Sequence, residues 1–173
     1  IVRTHFNVEM AATEPMLAIA ECVLAGRGHR CRVTLVPERA GEVTTEGGLD
    51  VAHRIDEVAR AAARLHGLGI AVSLFIDPAE AQVLASVLPG VDMIELNTAV
   101  YADGDRGDLA RLGRATELAA SLGLEVAAGH GLTHLNLPDL VAAVPDIVEY
   151  NIGHSIVGRA IFVGLDRAVR DLV

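Results

Sequence analysis

An unbroken alternation of short apolar runs with helix-like segments constrains this chain more than any other feature. Residues 6–9, 33–36, 71–76, 93–96, 126–128 and 150–152 read as strands. They recur roughly every 25–40 residues, the length of one strand-plus-helix unit. Most look near-continuously apolar, the pattern expected of parallel strands covered on both faces. Helices fill the intervals. Thr13 precedes Pro15 in a helix-start pattern. Asp50 is placed to cap a helix that carries Ile55, Val58, Ala59, Ala62 and Leu65 on one face. Asp77-Pro78-Ala79-Glu80 has the form of a cap, a first-turn proline and a capping-box glutamate. Residues 109–122 and 156–173 are further helices, and Gly67, Gly69 and Gly123 fall where helices end.

Alternating strands and helices without a linker mean one α/β domain. An open doubly wound sheet and a (β/α)8 TIM barrel both satisfy that pattern. No G-x-G-x-x-G follows the first strand, which disfavours the dinucleotide-binding form of the open sheet. Polar residues at strand C-terminal ends (Glu9, Glu95, His130 and His154) favour the barrel, whose active sites collect there. A barrel needs eight strands and about 250 residues. The chain has 173 residues and six strand-like runs, and it opens at Ile1 rather than Met. The expectation is therefore a single barrel domain over residues 1–173, N-terminally incomplete and represented by about strands three to eight.

Composition removes several classes of function. The formal net charge is −9 and no basic cluster stands out, so nucleic acid is not an expected partner. Apolar runs are short and broken by charge, so no membrane span is expected. Cys22 and Cys31 match no metal or redox spacing, which makes a reducing cytoplasm the expected location. All 14 basic residues are arginine, which rules out a Schiff base on a lysine of this sequence.

Two segments have the form of a strand that delivers glycine and histidine to its end: Glu125-Val126-Ala127-Ala128-Gly129-His130-Gly131 and Glu149-Tyr150-Asn151-Ile152-Gly153-His154. Glycines after the last two strands of a barrel are where backbone amides meet a phosphate, although tight turns use glycine too. Glu9 at a strand end can move a proton, or form an ion pair with arginine. Glu95 lies inside an apolar run, where a charge needs a partner or a function. His130 and His134 are four residues apart, but Gly131 interrupts a helix there and no third ligand is nearby, so no metal is expected.

Several longer stretches resemble the pyridoxine 5′-phosphate synthase family. They include Asn7-Val8-Glu9-Met10, Glu42-Val43-Thr44-Thr45-Glu46-Gly47-Gly48-Leu49-Asp50-Val51, Val72-Ser73-Leu74-Phe75-Ile76-Asp77, Ile94-Glu95-Leu96-Asn97-Thr98, Ala128-Gly129-His130-Gly131-Leu132-Thr133 and Asn151-Ile152-Gly153-His154. The resemblance implies a barrel enzyme, a transferase-class ring-closing synthase of vitamin B6 biosynthesis. Its substrates would be 1-deoxy-D-xylulose 5-phosphate and 3-amino-2-oxopropyl phosphate, and its products pyridoxine 5′-phosphate, phosphate and water. It also implies no cofactor and a homo-octamer. Carried over residue by residue, Glu9, His130 and Glu95 would be catalytic, with His130 a proton donor. Thr44 would bind the pentulose phosphate, and Gly131, Gly153 and His154 the amino-oxopropyl phosphate. The loop over residues 41–48 is a candidate lid. The family's Asn-x-Asp-His and His-x-Arg-x-Asp-x-Arg-x-His motifs, which lie on its first two strands, do not occur in this sequence. The alternatives are a non-catalytic phosphometabolite-binding paralogue and a phosphosugar isomerase or epimerase on the same barrel.

Overall fold

The computed structural model describes residues 4–26, 30–38 and 47–172. Six strands form one parallel sheet: β1 (Phe6–Met10), β2 (Cys31–Leu35), β3 (Ala71–Ile76), β4 (Met93–Asn97), β5 (Glu125–Gly129) and β6 (Glu149–Asn151). Their order in space is their order in sequence, β1-β2-β3-β4-β5-β6. A doubly wound sheet reverses direction at a switch point; this one never does. Crossovers of one hand between successive neighbours place all the helices on one face. The sheet must then curl around its other face.

The curl shows directly in side-chain contacts. Arg32 on β2 pairs with Glu149 on β6. Those strands are four positions apart, which in a flat sheet is about 19 Å, more than the two side chains span. Among the described residues β1 and β6 each pair on one side only. The architecture is thus a curled, part-barrel α/β sheet.

The strands alternate cleanly, contrary to the near-continuous apolar reading. Outward positions such as Val33, Leu35, Val72, Leu74, Ile76, Ile94, Leu96 and Val126 are buried in the main core. Helices α2 (Ile55–His66), α5 (Asp108–Ser121) and α6 (Leu137–Ala143) cover them, using Val58, Ala62, Leu65, Leu112, Ala119 and Leu140. Each fully buried aliphatic side chain contributes about 1.5–3 kcal/mol. Inward positions are mostly polar: Asn7 and Glu9, Arg32 and Thr34, Ser73, Glu95 and Asn97, Glu149 and Asn151. The apolar impression came from Ala71–Ile76 and Ala127–Ala128, where inward residues are also apolar or small.

The inward face binds itself together below the cleft. Arg32 donates from Nε to Asn7 Oδ1 at 3.4 Å and from Nη1 toward Met93 Sδ at 3.1 Å. The Thr34 hydroxyl donates to the same Asn7 oxygen at 3.0 Å. A buried guanidinium would be costly alone, and Glu149 supplies the opposite charge.

Several helix boundaries differ from expectation. Helix α1 (Glu14–Leu24) does follow Thr13 with Pro15 in its first turn. Asp50 does not cap α2, which starts four residues after the expected position; its carboxylate takes His53 and Gln82 instead. Asp77 likewise does not cap α3 (Glu80–Ala85). It accepts the Gly48 amide at 3.1 Å and Asn97 Nδ2 at 2.9 Å, tying the β2–α2 connection to β4. Capping competes with tertiary partners, and both aspartates have better ones. The expected last helix is two, α7 (His154–Val163) and α8 (Leu165–Arg170), broken where Gly164 adopts φ 82°. Helices α4 (Ala99–Ala102) and α6 were not anticipated, being too short to show a period.

Candidate active site

A cleft of about 540 Å³ opens at the C-terminal ends of the strands. Glu9 reaches it from β1, Glu95 from β4, His130 and Gly131 from just after β5, and Gly153 and His154 from just after β6. Six of the seven residues singled out in the sequence therefore line one cavity. Thr44 lies outside the described residues, as does most of the candidate lid at residues 41–46. Asn7, Asn151, Thr133 and Ser155 complete the polar lining.

Glu95 is 3% exposed, and its carboxyl is held up to about pH 7. Burial is the main cause, because a desolvated carboxylate is poorly stabilised. The Glu9 charge across the cleft adds to it, as does Glu149. Asn151 and Arg32 work in the opposite direction. Asn151 Nδ2 makes no hydrogen bond of good geometry, yet it lies close enough to favour the charged form. Gly129 is what lets Glu95 fit: a Cβ there would overlap Glu95 Oε1. Near neutral pH the cleft thus holds one carboxyl that exchanges a proton readily, beside a second carboxylate.

His130 is the one described non-glycine residue with positive φ, at 80°. That conformation costs about 1–2 kcal/mol for a residue with a Cβ, so the surroundings must impose it. Its ring lies 4.7 Å from the Phe75 ring at 31°. Burial pushes the imidazole below its ordinary range, and the Glu9 charge partly offsets this. A largely neutral imidazole can accept a proton and return it.

The glycines divide into two kinds. Gly131 has φ 71°, and a Cβ there would overlap the Ala102 Cβ, so its need is structural. Gly153 has φ −121° and open space where a Cβ would point. The fold does not require a glycine at 153, where φ lies outside the left-handed region. Gly153 instead precedes α7, whose first residues, His154 and Ser155, line the cleft with it. Ser155 donates its hydroxyl to Leu132 O at 2.8 Å, joining the two glycine loops.

His134 does not join His130. It lines a separate groove with Leu137, Val141 and Leu172, and its Nε2 lies 3.4 Å from an Arg159 nitrogen. Sequence reasoning assigned no role to Asn7, Asn151, Ser155 or Phe75. For two of them the signal was parity: Asn7 is two residues from Glu9 on β1, and Asn151 two from Glu149 on β6, so each pair shares a strand face.

The sequence profile of the PdxJ family, described as pyridoxal phosphate biosynthesis protein PdxJ, matches residues 1–173. A relative from Geobacter metallireducens named pyridoxine 5′-phosphate synthase is 51% identical over 99% of this chain and 72% of its own length. Relatives of the same name from a Synechococcus species and from Geobacter sulfurreducens are each 49% identical over 99% of this chain, covering 71% and 72% of their own lengths. With a profile match over every residue and half of all positions identical, the chain belongs to the PdxJ family.

Proposed function

We propose that this chain is a pyridoxine 5′-phosphate synthase, joining 1-deoxy-D-xylulose 5-phosphate to 3-amino-2-oxopropyl phosphate in the cytoplasm. The observation that carries the reading is the convergence of Glu9, Glu95, His130 and the open Gly153 position on one cleft. Condensation between an amine and carbonyls proceeds through imine and enamine steps that need acid and base at fixed positions. The amine comes from the substrate, in keeping with a sequence of 14 arginines and no lysine. Glu9 removes protons, Glu95 exchanges a proton and balances charge, and His130 passes a proton to the departing oxygen. The Gly131 and Gly153 amides with His154 hold the amino-oxopropyl phosphate, and Thr44 holds the pentulose phosphate. The six strands correspond to strands three to eight of a closed (β/α)8 barrel, and residues 1–173 to one N-terminally incomplete domain. The monotonic strand order, the curl and the two one-sided strands support this. The resemblance further supports a homo-octamer. No helix among the described residues is long and apolar enough to cross a membrane.

The direct test supplies both phosphorylated substrates to the purified full-length enzyme and follows pyridoxine 5′-phosphate by chromatography. Turnover is expected without added metal, flavin or nicotinamide, and after EDTA treatment. Binding without turnover would identify a phosphometabolite-binding paralogue. Isomerisation of a pentulose phosphate alone would identify the second barrel enzyme. Turnover lost to EDTA and restored by zinc would require a metal.

Gly153→Val tests the phosphate position. The side chain enters open space, so thermal stability should change little, within about 0.5 kcal/mol as for other surface substitutions. It occupies the approach to the α7 amides, so KM for the amino-oxopropyl phosphate should rise by about tenfold or more, the scale of one lost charged hydrogen bond. An unchanged KM places the phosphate elsewhere.

A further inference from the structure

We propose that Thr98 is a positioning residue for His130, holding its backbone so that the imidazole stands in the cleft. This rests on the catalytic reading of His130 above. Thr98 is fully buried and does not line the cleft. Its hydroxyl lies 2.7 Å from Gly129 O and 2.5 Å from His130 O, and its amide donates to Gly129 O at 2.8 Å. Those two carbonyls belong to the peptides on either side of the His130 Cα. In an extended strand successive carbonyls point in opposite directions. One hydroxyl that gathers both of them fixes φ and ψ of the residue between. The residue so fixed is the one described non-glycine with positive φ.

Thr98 also occupies the N-cap of α4, where a threonine hydroxyl ordinarily accepts an amide of the first turn. Here it makes no cap hydrogen bond. Asn97 Oδ1 takes the Ala99 amide at 3.0 Å instead. The hydroxyl is thereby left to the histidine loop. The rest of α4 supports the same loop. Ala102 packs against Gly131, where no Cβ fits. Tyr101 donates to Asn136 O at 2.6 Å, and Asn136 Nδ2 donates to Gly131 O at 3.1 Å. Phe75 bounds the imidazole from β3. With the hydroxyl gone, the His130 carbonyl loses that donor, Gly129 O keeps only the Thr98 amide, and the residue between them relaxes toward negative φ. The ring then turns away from its place in the cleft.

The test is a double-mutant cycle on the full-length enzyme, with Thr98→Val, Thr98→Ala, Thr98→Ser and His130→Asn. Thr98→Val is expected to lower kcat by about tenfold or more, part of the loss of a proton-transfer group, with KM for either substrate within about threefold. Thr98→Ser, which keeps the hydroxyl, should restore kcat to within a few-fold of the parent. In the His130→Asn background Thr98→Val should cost less than about twofold, since the group it positions is gone. If Thr98→Val does not fold, Thr98→Ala replaces it without adding a methyl. Full cost of Thr98→Val in the His130→Asn background would overturn the inference. So would a Thr98→Val kcat within twofold of the parent, or a serine variant as impaired as valine. If both hydroxyl-less variants fail to fold while serine folds and works, the hydroxyl is a fold determinant and the inference is also overturned. An unimpaired His130→Asn would instead sink the reading of His130 itself.

Discussion

His130→Asn is expected to lower kcat by about a hundredfold or more, the usual scale of lost general acid–base catalysis, with substrate affinity largely kept. Asparagine keeps polarity and approximate size, and it tolerates the left-handed backbone that His130 adopts at φ 80°. The loop should therefore hold its shape, so a loss of rate is not a loss of fold. Asparagine cannot accept and return a proton. Expulsion of phosphate and water from the condensing substrates requires that transfer. Burial holds the parent imidazole below its ordinary range, so it stands ready to take a proton at neutral pH. Steady-state kinetics with both substrates, together with a thermal melt of the variant, make the test. A kcat within a few-fold of the parent would leave His130 shaping the loop only.

Glu95→Gln should change how stability depends on pH. The folded carboxyl titrates near 7 and the unfolded one near 4.5. Between those values the folded state retains a proton that the unfolded state has lost. Folding stability supplied by the neutral carboxyl is therefore fully present below about 4.5 and is lost as pH rises through 7. The loss is on the order of 3 kcal/mol, from the size of the displacement at 1.36 kcal/mol per pH unit. Glutamine has no such titration, so its variant should gain on the parent by that amount between pH 4.5 and 8. Denaturant unfolding of both proteins across this range measures the difference. A difference that stays flat would mean the carboxyl ionises as in water. Removing the Glu9 charge with Glu9→Gln should move the parent transition to lower pH, because Glu9 is the second cause of the displacement after burial.

The candidate site was legible where chemistry and strand ends coincide. Glu9, His130 and Gly153 stand at the C-terminal ends of apolar runs, and a barrel collects function there. Thr98 was not legible, although its segment was part of the recognised pattern. Its importance depends on two carbonyls more than thirty residues downstream, and no local pattern reports that. Asp50 and Asp77 show the same limit in another form. Their sequence context is that of helix caps, yet Gln82, Gly48 and Asn97 compete for the carboxylates and win. Gly131 and Gly153 looked equivalent in sequence; only the space around each one separated a position where no Cβ fits from one that is open.

What the sequence determined by itself was the six strands, the longer helices between them and their parallel α/β class. These follow from local pattern: short apolar runs recur at the length of a strand-plus-helix unit, and helical faces repeat between them. Tertiary structure alone decided the curl that brings β1 opposite β5 and β6, and with it the meeting of Glu9, Glu95 and His130. It also decided the proton affinity of Glu95, which depends on burial and on a charge eighty-six residues earlier in the chain. Such couplings arise only when the sheet curls onto its polar face, because Coulomb and desolvation energies depend on distance in space and not along the chain.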